Sequence, residues 1–173
     1  MKLLHLLLLP LLFCVACGND DEPEPEKEGN CLTATIDGEE FEAETTTGVF
    51  TVTEIEYGDS DIVQETKVLT ITGTIPSLTS ETRTIALNFA CSELTSDLDV
   101  VDTDEDCGVG MSYSITSFTD PNGSLIVTAA SGGITVEELT DDSIRGTFSF
   151  SGEDQDGTSY SITEGFFDTS IVQ

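Results

Sequence analysis

Carboxylates dominate the side chains that could carry chemistry. The 173 residues include 34 Asp and Glu, five Lys and Arg, and one His, which gives a formal net charge of −29. The only His is His5, which lies in a segment that we predict below to be removed. A mature chain without His cannot build a Ser-His-Asp triad, a Cys-His dyad or an imidazole metal site. Scarce Lys and Arg also exclude a nucleic-acid binder that neutralises phosphates.

The acidic loop before Cys107 is a candidate cation site. Asp102, Asp104 and Asp106 alternate there, and alternate carboxylates can converge on a hard cation such as Ca²⁺. The spacing matches an EF-hand loop only in part, because Cys107 stands at the position of its Gly and Tyr113 at that of its bidentate Glu. Weak or structural calcium binding and a solvated acidic loop both remain open. No other cofactor is indicated.

Paired carboxylates could also hydrolyse glycosidic bonds. Among 34 acidic residues some pair will always lie at a suitable separation, so this signal has little specificity. Residues 154–157, Asp-Gln-Asp-Gly, are a second calcium-loop fragment and predict a β-turn equally well. A glycan platform would favour Trp, which is absent, and Tyr57, Tyr113 and Tyr160 are scattered. We therefore expect a non-catalytic protein with a protein or glycan ligand; an extracytoplasmic hydrolase is the alternative.

Cysteine usage predicts one disulfide. Cys91 and Cys107 flank a 15-residue loop between two predicted strands, and an exported protein meets an oxidising environment. A bridge between them would stabilise the fold by about 3 kcal/mol in the chain-entropy model. Pairing of Cys31 with either partner, or three free thiols, are the alternatives. A catalytic thiol is not expected, since no His is available to activate it.

The N-terminus reads as a bacterial lipoprotein signal. Lys2 precedes an apolar run from Leu3 to Phe13, which is too short for a membrane span of about 20 residues. The sequence Cys-Val-Ala-Cys that follows resembles a lipobox, although Cys14 departs from the usual aliphatic residue. Residues 1–16 are thus predicted to be a signal peptide, and Cys17 the lipidated first residue of the mature chain. An ordinary secretory signal is the alternative.

Residues 17–30 are predicted to be an acidic tether that joins the lipid to the folded domain. After Cys17 this segment holds six acids, two Pro and no apolar residue, so it should stay extended and disordered. Its start, Gly-Asn-Asp-Asp-Glu, is similar to the export signal of surface-exposed lipoproteins of the Bacteroidota. That similarity implies an outer-membrane lipoprotein at the cell surface, held to the membrane by its lipid; the periplasmic face is the alternative.

Residues 31–173 predict a single all-β domain. Short alternating segments and turn signals recur along it, and no helical period extends over eleven residues. About nine or ten strands at this spacing favour an antiparallel β-sandwich or a barrel-like fold. Gly132-Gly133 is predicted to be a turn that separates strands 124–129 and 133–139. The predicted core contains the inward residues Phe41, Ile71, Leu87, Ile115, Phe148 and Phe150.

Three segments carry a family resemblance. They are TATIDGEEFEA near the start, IRGTFSFSG late in the chain and ITEGFFD near its end. They resemble a group of small Bacteroidota lipoproteins of unknown function, over most of residues 32–168. The resemblance implies a β-sandwich-like fold and a lipid anchor. It brings no catalytic residues, because the shared motifs are hairpin turns and inward aromatics.

The acidity predicts a response of stability to salt. Residues 31–173 hold 28 acids and three basic residues, a formal charge of −25, and such a domain repels itself. Raising NaCl from about 0.01 to 0.15 M shortens the Debye length from about 30 to about 8 Å, so the melting temperature should rise. At matched ionic strength, Ca²⁺ should raise it further only if the carboxylates at 102–106 bind the ion. Equal melting temperatures with and without Ca²⁺ would indicate a solvated acidic loop that binds no calcium.

Overall fold

The computed structural model describes residues 29–56, 63–77, 79–91, 97–99, 107–120 and 123–172. These residues form ten strands and no helix, which confirms the all-β prediction. The strands are β1 (Cys31–Ile36), β2 (Glu39–Glu42), β3 (Thr45–Glu56), β4 (Val63–Ile75), β5 (Glu81–Cys91), β6 (Asp97–Asp99), β7 (Cys107–Ser117), β8 (Leu125–Leu139), β9 (Ser143–Glu153) and β10 (Ser159–Val172).

Seven of the strands close into a barrel, in the order β3-β4-β5-β7-β8-β9-β10. All neighbours in this ring are antiparallel except β10 and β3, which pair in parallel through Ile171 with Gly48 and Val172 with Val49. An up-and-down ring with an odd number of strands must contain one parallel pair, because its first and last strands run in the same direction. The barrel-like form of the prediction is therefore correct, and the sandwich form is not.

The hairpin of β1 and β2 lies beside the parallel junction. β1 pairs with the same edge of β10 that reaches β3 further along, and it fills the gap where β10 and β3 are not paired. Its turn uses Asp37 and Gly38, with φ of 50° and 87°, the two positive values that an Asp-Gly hairpin turn requires. Leu32 packs against Gly73 of β4, where an added Cβ would lie 2.9 Å from the Leu32 side chain.

Asn30, the last residue of the predicted tether, contacts the end of β10. Its Oδ1 accepts hydrogen bonds from Ser170 N at 2.8 Å, Ser170 Oγ at 2.9 Å and Thr169 Oγ1 at 3.1 Å. These bonds hold the residue just before β1 to the last residues of β10. The start of the domain is therefore pinned beside the parallel junction.

Apolar side chains from alternate strand positions fill the barrel. The prediction of inward residues is correct for Phe41, Ile71, Leu87, Phe148 and Phe150, which are all buried. Ile115 is only partly buried and packs against the edge of this core. The buried apolar residues are Leu32, Ala34, Ile36, Phe41, Leu69, Ile71, Ile85, Leu87, Phe89, Cys91, Met111, Tyr113, Val127, Ile134, Val136, Ile144, Phe148, Phe150, Ile162 and Phe167.

The predicted turn at Gly132-Gly133 is wrong. Both glycines lie inside the 15-residue strand β8, which continues from Leu125 to Leu139. Gly132 has a φ of 129°, and an added Cβ would clash with the Ser149 carbonyl oxygen of β9. The register shifts between Ala129 and Ser131, just before Gly132, which itself pairs with Phe150. Glycine is required here by a positive φ and a close approach of two strands, and a turn favours the same residue type.

The barrel has two ends with different contents. The tether end holds the start of β1 at Cys31, the turn between β8 and β9 and the connection between β5 and β7. The opposite, distal end holds the connections β1–β2, β4–β5, β7–β8 and β9–β10. The predicted lipid tether would thus leave the domain at one end and direct the other end away from the membrane.

Phe148 offers a test of this core. It is 4% exposed and its ring centroid lies 6.3 Å from that of Phe167 and 6.5 Å from that of Phe150. Phe148→Ala should lower the free energy of unfolding by about 3–5 kcal/mol, because it removes buried area and leaves a cavity. Urea titration would measure the change, with exposed Ser149→Ala as the control. A loss below about 1 kcal/mol would contradict the assigned packing.

Candidate functional site

The predicted disulfide is present. Cys91 and Cys107 form the last register pair between β5 and β7, and their sulfurs are bonded. The bond closes the base of the 92–106 connection at the tether end. Because these two sulfurs bond to each other, the alternative pairing of Cys31 with Cys91 or Cys107 is not the one formed.

The candidate calcium ligands Asp102, Asp104 and Asp106 lie outside the described residues, so calcium binding stays a prediction. Among the residues that are described, no group of three or more His, Cys, Asp or Glu is placed to hold a metal ion. The fragment at 154–157 is a turn. Asp154 Oδ1 accepts hydrogen bonds from the amides of Asp156 and Thr158, both at 2.9 Å, so this carboxylate serves the backbone.

Aromatic and charged side chains close the distal end. The rings of Tyr113 and Tyr160 lie 6.3 Å apart at an interplanar angle of 53°. Arg83 lies on β5 near this pair, and its Nη1 is 3.8 Å from Glu39 Oε2 on β2. The Arg83 side chain is partly exposed and that of Glu39 largely exposed, so the ion pair contributes little to stability. The tyrosines thus cover the end of the core, and Tyr57 lies outside the described residues.

Burial controls the ionisation of these tyrosines. Desolvation raises the pKa of Tyr113 above its usual 10.0, while the nearby Arg83 opposes the rise. The pKa of Tyr160 is also raised, first by desolvation and then by the carboxylates of Asp154 and Asp37. Both phenols are therefore neutral at physiological pH, and neither is poised to act as a base.

Asp168 is a described carboxyl with a raised pKa. Burial is the main cause, and the charge of Glu138 adds to it while Arg145 opposes it. Asp168 lies in β10 between buried Phe167 and Thr169, so by strand alternation its side chain points to the outside of the barrel. This position does not form a catalytic carboxylate pair inside a pocket.

Among the residues whose side chains are described, the outward positions of β3, β4, β5, β7 and the first part of β8 carry no charge. We call this surface the neutral wall and define it by the outward positions of these strands. Ten of its twenty positions are Thr. They are Thr45, Thr47, Val49 and Thr51; Val68, Thr70, Thr72 and Thr74; Thr82, Thr84, Ala86, Asn88 and Ala90; Gly108, Gly110, Ser112, Ser114 and Thr116; and Ile126 and Thr128.

Strand pairing arranges the neutral wall as a grid. One row runs across five strands through Thr47, Thr72, Ala86, Ser112 and Thr128. Neighbouring strands are about 4.8 Å apart, and outward positions repeat about every 6.7 Å along a strand. Each hydroxyl can both donate and accept a hydrogen bond.

Within the described residues, four of the twelve hydroxyls of the neutral wall take part in side-chain hydrogen bonds. Thr82 Oγ1 accepts from the Ser77 amide at 3.2 Å and donates to the Ser77 carbonyl oxygen at 3.4 Å. Two further bonds join members of the wall. Thr70 Oγ1 donates to Asn88 Oδ1 at 3.0 Å, and the hydroxyl oxygens of Thr74 and Thr84 are 3.4 Å apart. The wall also includes two exposed apolar side chains, Val49 and Ile126, which are 46% and 61% exposed.

The opposite side of the barrel has the reverse character. We call it the acidic wall. Its one described basic residue, Arg145, places Nε 3.7 Å from Glu137 Oε2. The charged residues of this wall are Glu40, Glu42, Glu137, Glu138, Arg145, Glu153, Glu164 and Asp168. Among the described residues, charge is thus segregated around the barrel, an arrangement that depends on strand register and leaves no local pattern in the sequence.

Neither the family models, nor the curated proteins, nor the solved structures compared with this chain give a match. The described ranges contain no helix with the length and apolarity that crossing a membrane requires. The neutral wall, the disulfide and the closed barrel therefore have to be interpreted from their own geometry.

The raised pKa of Tyr113 predicts a loss of stability at alkaline pH. Because the folded state holds the phenolic proton more tightly, the stabilisation is complete below about pH 10 and is lost as pH rises through the folded pKa. Tyr113→Phe should reduce this dependence, which is at most about 1.4 kcal/mol per pH unit for one group, and Tyr160, whose pKa is also raised, should account for the remainder. Urea unfolding of both proteins from neutral pH to about pH 11 would measure it. Parallel curves would contradict the assignment.

Proposed function

We propose that this protein is a non-catalytic, lipid-anchored binding module of the bacterial cell envelope, of the small Bacteroidota lipoprotein type. The N-terminal sequence supports the anchor, since a short apolar run ends at Ala16-Cys17 and an acidic tether follows. Three acyl chains on Cys17 would hold the domain stably at the outer membrane. The acidic start of the tether favours the cell surface over the periplasmic face.

The neutral wall is the observation that carries the binding role. The domain contains 28 acidic residues, so acidic side chains would be expected on every exposed strand. The described outward positions of five neighbouring strands nevertheless include no acidic residue. Depletion of charge is a property of the central part of binding interfaces, because charges are costly to desolvate. Hydroxyl and methyl groups cost less to desolvate, so this is the surface that a partner can cover most cheaply.

The described carboxylates give no support to the alternative hydrolase. At the distal end, Asp37 Oδ1 accepts the amide of Ser161 at 2.9 Å, and Asp154 Oδ1 accepts two further amides. Asp168 lies outside the barrel wall. Glycoside hydrolysis needs two carboxyl groups facing one substrate across a defined gap. We therefore place the function in binding and assign no catalytic residue.

Lipidation of Cys17 has a direct test. Expressed in a bacterium that processes lipoproteins, the wild-type chain should yield a mature N-terminal peptide that begins with Cys17 and carries diacylglycerol, as read by mass spectrometry. Cys17→Ser should abolish this modification and release or block the protein, whereas Cys14→Ser should still be processed. A Cys17 found as a free thiol or in a disulfide would contradict the anchor, because a thioether consumes that sulfur.

Surface presentation is measured separately on intact cells. Protease added outside should cleave the acidic tether of the wild type and release the domain, while a periplasmic marker stays intact. Protection from protease in intact cells, followed by cleavage after permeabilisation, would place the lipoprotein on the periplasmic face instead.

A further inference from the structure

We infer that the neutral wall binds a neutral polysaccharide, an inference that rests on the proposed binding function and names its ligand class. The charge of the domain narrows the choice of ligand. An acidic polysaccharide, a nucleic acid or an anionic membrane would meet a domain of formal charge −25 and be repelled. A basic protein would be drawn to the acidic wall on the other side. An uncharged ligand gains most where no fixed charge has to be desolvated.

The hydroxyl grid fits the chemistry of an uncharged sugar chain. Sugar hydroxyls donate and accept hydrogen bonds as Ser and Thr do. A chain that crosses the strands meets the next strand after about 4.8 Å, close to the length of one hexose unit. In the row Thr47–Thr72–Ala86–Ser112–Thr128, four of the five positions offer a hydroxyl. Thr methyl groups, with exposed Val49 and Ile126, supply apolar contacts for the C–H faces of the rings.

The charge at the edge of the neutral wall argues against a second copy of this chain as its occupant. Acidic residues such as Glu153, whose register partner is Thr128 of the wall, would approach each other in a face-to-face dimer and repel.

The test compares charge placed on each wall of the folded domain. Thr47→Glu with Asn88→Glu puts two carboxylates at exposed positions of the neutral wall, and Ser149→Glu with Thr163→Glu puts the same charge at exposed positions of β9 and β10. Circular dichroism and melting temperature would establish that both variants fold. Binding would be measured by affinity electrophoresis and calorimetry with dextran, laminarin, galactomannan and arabinoxylan, and with polygalacturonate as an acidic contrast.

We expect the wild type to bind at least one of the neutral polysaccharides and not polygalacturonate. The neutral-wall variant should bind at least about tenfold more weakly, and the control variant should match the wild type. Thr72→Val, which keeps the shape and removes one hydroxyl, should weaken binding while leaving the melting temperature near that of the wild type.

Three results would overturn the inference. They are no binding to any of the four neutral polysaccharides, equal binding by the neutral-wall variant, and a wild-type dimer in light scattering that the neutral-wall variant dissociates. Equal binding by that variant would leave the proposed binding function intact and would mean that the binding site lies elsewhere on the domain. A Cys17 without lipid, or a domain that is absent from the cell surface, would overturn the proposed function. Neither outcome would change the measured binding of polysaccharide.

Discussion

Closure of a ring of seven strands is the constraint on which the rest of the structure depends. The ring closes through two register pairs, Ile171 with Gly48 and Val172 with Val49, whereas each antiparallel neighbour contributes a longer ladder. An added Cβ on Gly48 would lie 2.8 Å from the Ser170 carbonyl oxygen, so the close approach of β3 to β10 requires glycine there. Asn30 binds Thr169 and Ser170 beside this junction, and the β1–β2 hairpin fills the remaining gap. The start and end of the domain therefore cooperate to close the barrel.

Closure also determines how charge is distributed. In an open sheet, the outward positions of all strands would share one face, and acids anywhere would influence the whole face. In the barrel, the neutral wall faces away from β9 and β10. A packed apolar core therefore separates the charges of the acidic wall from the neutral wall. Strand alternation then lets a strongly acidic chain keep a neutral surface, because its acids occupy the acidic wall, the strand ends and the connections.

Alternation along single strands made much of the fold predictable from sequence. Leu69 and Ile71 face inward because they alternate with Thr, and the Asp37-Gly38 turn follows from its residue types. The continuation of β8 through Gly132 was not predicted, because a glycine at a close approach of two strands and a glycine in a turn give the same sequence signal. The sandwich alternative could not be excluded, since the single parallel contact between β3 and β10 joins segments far apart in the chain and leaves no local pattern.

The neutral wall could not be predicted from the sequence, for a related reason. Thr70 or Ser112, considered alone, is an ordinary solvent-facing residue of a β-strand, which Thr favours in any case. What distinguishes the wall is that residues from five strands come into register, and register is a property of the folded sheet. The wall runs parallel to the barrel axis, so a tether of about 40 Å when fully extended would leave it free to turn toward a polymer lying along the membrane. A site at the distal end would have to meet such a polymer end-on, and there the two tyrosines and Arg83 already cover the core.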